Sequence, residues 1–156
     1  MNKTQERVSI TPLERAECLA VIGENHFGRI AYSFHDRVNI EPISYAFDND
    51  WIFGRTSTGS KWLTLQHHPW VAFEVEQIVS QFDWRTVVVQ GTVKFLDESD
   101  TSSPDRKLRE RALNAIRLHA PFALTNDDPA PHRDKVFGIY LNEVSGRKSQ
   151  SLMHNK

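Results

Sequence analysis

The chain is poor in several things, and each shortage excludes something. It has one cysteine, Cys18, so no intrachain disulfide can form, and a reducing compartment is expected. No basic neighbour in the sequence activates that thiol, which reads as structural. Charge of one sign is also missing. Lys and Arg number 19 against 20 Asp and Glu, for a formal net charge of -1, so nothing points to nucleic acid. No apolar run is long enough to span a membrane. The polar opening MNKTQERVS lacks a signal-peptide core, so a cytoplasmic protein is expected. Both phosphate-loop signatures, G-x-x-x-x-G-K-[ST] and G-x-G-x-x-G, are absent. The 7 histidines are scattered. His67 and His68 are adjacent and would diverge on a helix, so no metal site is expected. No Ser-His-Asp or Cys-His arrangement presents itself, and no catalytic residue is assigned.

What is present is ordinary for one soluble globular domain: 156 residues, 39% hydrophobic and 25% charged. Thr11-Pro12-Leu13-Glu14 has the form of a capping box with proline at the first helical position. A helix is expected from there to Ile22, with Leu13, Ala16, Leu19 and Ile22 on its buried stripe and Cys18 off it. Strands are expected over Gly28–Phe34, Val38–Phe47, Trp51–Thr56, Val71–Glu76, Trp84–Leu96 and Val136–Val144. His35-Asp36-Arg37 and Asp48-Asn49-Asp50 read as turns. Pro42 falls inside the second strand, where it marks an edge, a bulge or a gap between strands. Gly91 near the middle of the longest strand suggests a bulge or bend. Asp97–Ser103 is an acidic, Ser-rich linker. A second long helix follows to His119, with Leu108, Ala112, Ile116 and His119 toward the body and a basic face of Arg106, Lys107, Arg109, Arg111 and Arg117 that is expected to be solvated. The domain reading is a flexible segment over residues 1–10, one domain over 11–148 and a polar tail over 149–156.

The stretch WIFGRTSTGSKWLTLQHHP, Trp51–Pro69, carries the most chemistry. A strand ends at Arg55 and Thr56, a small polar turn follows, and Lys61 opens a short amphipathic helix that Pro69 stops. Helix N-terminal N–H groups carry partial positive charge, and Arg55 and Lys61 add full charges beside them. Thr56, Ser57, Thr58 and Ser60 add hydroxyl donors, and Gly59 would let a ligand approach the backbone. A phosphate monoester suits such a place. On spacing alone, an N-cap at Ser60 with solvated Arg55 and Lys61 is the better account.

The surrounding pattern changes that balance. Gly28-Arg29-Ile30-Ala31, Glu41-Pro42-Ile43-Ser44-Tyr45, Phe53-Gly54-Arg55-Thr56 through Gly59-Ser60-Lys61, and Trp84 through Gly91 together resemble the FMN-binding split-barrel family related to pyridoxamine 5'-phosphate oxidase. The resemblance implies a mainly β fold, a six-stranded antiparallel split barrel with accessory helices. It implies a flavin phosphate held by Arg55, Thr56, Ser60 and Lys61, and an isoalloxazine lying along Pro42, Ile43 and Ser44. It further implies a homodimer, in which Trp84, Arg85 and Thr86 of the partner complete each site. The chain departs from the pyridoxamine oxidases in having Ser60 before a single Lys61 in place of a paired basic motif. It departs from nitroimidazole-reductase relatives in lacking a histidine at that place. An FMN-dependent oxidoreductase of a small organic molecule is therefore the leading expectation. A flavin storage or sensing protein, or a related barrel holding a deazaflavin or haem, stands as the alternative.

Overall fold

A computed structural model describes residues 7–96 and 103–152. The elements in order are β1 (Arg7–Pro12), α1 (Arg15–Glu24), β2 (Phe27–Phe34), β3 (Arg37–Ser44), β4 (Ala46–Asp48) and β5 (Trp51–Thr56). Then come α2 (Ser60–His67), β6 (Trp70–Ser80), β7 (Asp83–Phe95), α3 (Ser103–Arg117) and β8 (Lys135–Leu152). One antiparallel sheet takes the order β3-β2-β6-β7-β8-β5-β4, with β1 added along β8.

The ends of that order, β3 and β4, are consecutive in the chain but are not paired with each other. The sheet therefore curls toward closure and stops short, leaving a split between β3 on one side and β4–β5 on the other. Pro42 belongs to edge strand β3, opposite Arg29 of β2. An edge is where a residue without an N–H costs the ladder least. The strand expected over Val38–Phe47 is thus two strands, broken at Tyr45. That residue's N–H donates to His26 O at 2.9 Å. Its buried hydroxyl donates to Ile22 O at 2.6 Å.

Alternation along the long strands builds the core. Val87 and Val89 of β7 point inward with Phe73 and Val75 of β6 and Ile139 of β8, while Val88 points out and is 39% exposed. Helix α1 plugs one end of this core through Cys18, Val21 and Ile22. This corrects the expected stripe: Ala16 is exposed and Cys18 is buried. The helix begins at Arg15, after Thr11 and Pro12 have been used in β1, and residues at i, i+3 and i+4 from Cys18 meet the barrel. Glu17 still reaches back, accepting from the Glu14 N–H at 3.3 Å. Helix α3 covers a second cluster, laying Ala112, Ala115 and Ile116 over Ala46, Phe53 and Val136. Its arginines find partners: Arg111 bonds to Asp48 at 3.0 Å, Arg109 to Leu96 O at 2.7 Å and Arg117 to Ala123 O at 3.0 Å.

The strand count is larger than six because β4 splits from β3 and because β1 exists. Arg7–Pro12 pairs in register with Arg147–Leu152. Residues 7–10 and 149–152, expected in a flexible segment and a polar tail, are therefore sheet. Residues 1–6 and 153–156, and the acidic linker over 97–102, lie outside the described residues. The irregularity expected at Gly91 lies opposite it. Gln90 pairs Glu143 and Gly91 pairs Leu141, so the extra residue is Asn142 on β8. A Cβ at Gly91 would come within 2.5 Å of Tyr140 O. The hairpin at His35 and Asp36 has both residues at positive φ, 48° and 60°, which matches the right-handed twist of the strands it joins.

Candidate functional site

The split holds a cleft of about 530 Å³. Pro42, Ile43 and Ser44 of β3 form one wall, and Phe53, Gly54, Arg55 and Thr56 of β5 form the other. Tyr45 and Ala46 join the lining between them, with Ile116 of α3 and His119 and Ala120 from the turn after it. Ser57, Lys61, His132 and Arg133 add polar and cationic groups. The lining thus combines apolar and aromatic side chains with cations, which suits a flat ring system carrying an anionic tail.

Each side chain is where it is for a local reason. Arg55 and Thr56 are the last residues of β5 and pair with Val136 and Lys135 of β8, so they stand at the sheet's rim. The chain then turns into α2, whose first hydrogen bond runs from the Leu63 N–H to Gly59 O at 3.0 Å. The N–H groups of Ser60, Lys61 and Trp62 precede that bond and have no intrahelical acceptor. Gly59 has φ 177°, extended backbone open to any residue, and a Cβ there would touch nothing within 4 Å. Glycine is therefore not needed for the turn.

Both expected cations are paired. Arg55 Nη1 donates to Asp128 Oδ2 at 2.6 Å and Nη2 to Oδ1 at 3.4 Å. The side chains are 12% and 2% exposed. Asp128 also accepts the Leu124 N–H at 2.7 Å and the Ala130 N–H at 2.9 Å. Hydrogen bonds from the Arg55 guanidinium, then from those two backbone groups, hold its carboxyl well below the usual carboxylate range. Lys61 Nζ lies 2.8 Å from Glu41 Oε2 across the open end of the split. Glu41 Oε1 accepts from the Tyr32 hydroxyl at 3.1 Å. Burial first, and that bond second, push the Tyr32 phenol up to about 12. Burial raises the Tyr45 phenol too.

Of the residues picked from the sequence, Pro42, Ile43, Ser44, Arg55, Thr56 and Lys61 all line the cleft. Ser60 is the exposed first residue of α2, beside the cleft but outside its lining. Trp84, Arg85 and Thr86 do not line it. They open β7 next to Ser149, Lys148 and Arg147. Asp128, His132 and Arg133 were not singled out, and Glu41 and His119 were named without a role in the site. Asp128 is 73 residues from Arg55 in sequence and sits in a Pro- and Asp-rich loop, so only folding brings them together. His119, expected toward the body, lines the cleft with its exposed ring 4.0 Å from that of His26. Among the described residues no group of three or more His, Cys, Asp or Glu could hold a metal ion. Among them, too, no helix is long and apolar enough to cross a membrane.

The sheet's outer face adjoins the cleft. In register across five strands run Pro42, Arg29, Glu74, Val88 and Ser145. The next row holds Ile40, Ala31, Ala72 and Gln90. Arg29 bridges Glu74 at 3.4 Å and Glu76 at 3.2 Å, and the buried Glu74 Oε1 has no hydrogen-bond partner among the described residues. Val38 and Ile40 stand 82% and 66% exposed at its edge.

A family model described as pyridoxamine 5'-phosphate oxidase matches residues 14–148. A protein of Rhizobium meliloti (strain 1021), described as uncharacterized, is 28% identical over 79 residues, 51% of this chain and 52% of the relative. The chain thus spans about half the length of the curated relative it matches. Among solved structures, a FAD-binding protein from Mesorhizobium loti superposes with a TM-score of 0.73 at 24% identity, over 92% of this chain and 99% of that one. A FAD binding protein from Mycobacterium smegmatis gives 0.60 at 18% identity, over 90% and 98% of the two chains. A FAD and heme binding protein from the same organism gives 0.65 at 16% identity, over 97% and 77%. These likenesses establish the split-barrel fold.

Proposed function

Because the chain belongs to the pyridoxamine 5'-phosphate oxidase family, we propose that it binds a flavin nucleotide, FMN, in the split and serves as a flavin-dependent oxidoreductase of a small organic molecule. The observation that carries this reading is the cleft itself, lined by Arg55, Thr56 and Lys61 and by Pro42, Ile43 and Ser44 along an unpaired strand edge. The residues suit the group. Main-chain groups on an edge strand can meet the polar rim of an isoalloxazine, and Phe53, Ala46 and Ile43 offer it an apolar bed.

When bound, the flavin supplies hydride or electron transfer, and the protein supplies position and electrostatics. Lys61 and the open N–H groups of α2 meet the phosphate. Tyr45, tied to Ile22 O and His26 O, fixes the end of the β3 wall against α1 and the start of β2. Ile116 and Ala120 exclude water from the apolar lining.

The protein works as a homodimer with sites at the interface. The outer face beside Pro42 supports this: it presents exposed Val38, Ile40 and Val88 around small Ala31 and Ala72, a surface a second copy can cover. The partner's start of β7, with Trp84, Arg85 and Thr86, then closes over the flavin.

FAD is the second reading, favoured by the names of the neighbouring structures. An absorbance spectrum of the purified protein, followed by titration with riboflavin, FMN and FAD, tests the proposal. Twin flavin bands and preference for FMN support it. A colourless protein with no affinity for any of the three overturns it. Turnover of a reduced nicotinamide with an electron acceptor separates an oxidoreductase from a carrier.

A further inference from the structure

The cations of the cleft differ in what already holds them. The fork of Arg55 is spent on both oxygens of Asp128, which is 2% exposed. Withdrawing Arg55 to meet a ligand would strand a buried carboxylate, a costly state. Lys61 faces Glu41 in a pair whose side chains are 19% and 40% exposed. Such a pair is weak and can exchange partners. Arg133 lines the same cleft and, among the described residues, has no carboxylate within ion-pair distance.

We propose that Arg133 is the cation that receives the ligand's phosphate together with Lys61, and that Arg55 acts on the site by holding the loop that carries Arg133. This rests on the reading of the cleft as a flavin-nucleotide site. A chain of bonds connects the two arginines. Asp128 Oδ2 holds Arg55 and the Leu124 N–H, and Asp128 Oδ1 accepts the Ala130 N–H at 2.9 Å. Ala130 O in turn accepts the Arg133 N–H at 3.0 Å. One carboxylate therefore builds the turn that sets Arg133 on the rim. The charges agree with this assignment. Arg55 and Asp128 cancel, Lys61 and Glu41 cancel until a ligand displaces Glu41, and Arg133 is left to attract an anion. An exposed guanidinium keeps its planar fork for two phosphate oxygens. The phosphate is either that of FMN or the one nearest the riboflavin of FAD.

The test is titration of wild type, Arg133→Ala and Arg133→Lys with riboflavin, FMN and FAD, read by quenching of flavin fluorescence. Arg133→Ala should weaken FMN and FAD alike by roughly tenfold, leave riboflavin unchanged and leave the thermal midpoint unchanged. Arg133→Lys should recover part of the loss. If wild type prefers FMN to riboflavin and Arg133→Ala prefers it equally, the role of Arg133 is refuted while the phosphate site stands. A loss confined to FAD puts Arg133 on the second phosphate and also refutes it. Wild type that binds riboflavin as tightly as FMN removes the phosphate site itself, and this proposal with it.

Discussion

The guanidinium of Arg55 and the carboxylate of Asp128 meet at 2.6 Å, joining the rim of β5 to the loop after α3. The pair makes this cation at the cleft a structural group, holding the loop against the sheet. Its pH behaviour follows. Hydrogen bonds from Arg55 and two backbone N–H groups hold the Asp128 pKa in the folded state well below that of an ordinary aspartate, so its ionised form favours the fold. That contribution is complete above the unfolded value and is lost as pH falls through the folded value. Thermal midpoints of wild type and Asp128→Asn should therefore differ most at neutral pH, and the gap should narrow below about pH 4. A gap that stays constant down to pH 2 would show that the carboxylate's charge is not what holds the loop.

Lys61→Ala should weaken FMN binding by about tenfold, since a hydrogen bond to a charged group is worth roughly 1.5–3 kcal/mol. Its thermal midpoint should stay near that of wild type, because its pair with Glu41 is partly exposed. Arg55→Ala should weaken FMN at least as much and also lower the midpoint, because Asp128 is left buried without its cation. Calorimetric titration beside thermal melts reads both quantities. Unchanged affinity in both variants would return Arg55 and Lys61 to the role of ordinary charges.

Sedimentation should show a dimer with and without FMN, since Val38, Ile40 and Val88 stay exposed on the outer face whatever the cleft contains. Trp84→Ala should weaken flavin binding and leave the dimer intact. A monomer holding FMN stoichiometrically would put the whole site within one chain and remove Trp84, Arg85 and Thr86 from it.

Gly91→Ala should destabilise the fold by about 1–3 kcal/mol, the usual cost of overpacking. The added Cβ would meet Tyr140 O at 2.5 Å and Ile139 Cγ2 at 2.6 Å, on the strand that carries the bulge. Urea unfolding checks this, and a variant as stable as wild type would mean that β8 can move away freely.

Local chemistry alone determined much of this protein. Alternation wrote most of the strands, Pro42 announced an edge, and small polar residues between Thr56 and Lys61 marked the turn into α2. These signals are legible because each depends on neighbours a few residues apart. Only the tertiary structure decided the rest. Arg7–Pro12 carries only the short alternation of Val8 and Ile10, and it is a strand because Arg147–Leu152 offers it a ladder. Cys18 is buried because the start of α1, set by β1, turns that side of the helix to the barrel. The partners of Arg55 and Lys61 were invisible in the sequence, since a charge reveals its value and not its counter-ion. Asp128 and Glu41 reach them across 73 and 20 positions of chain. Which cation a ligand can recruit therefore depends on the folded arrangement of opposite charges, and no spacing rule along the chain encodes it.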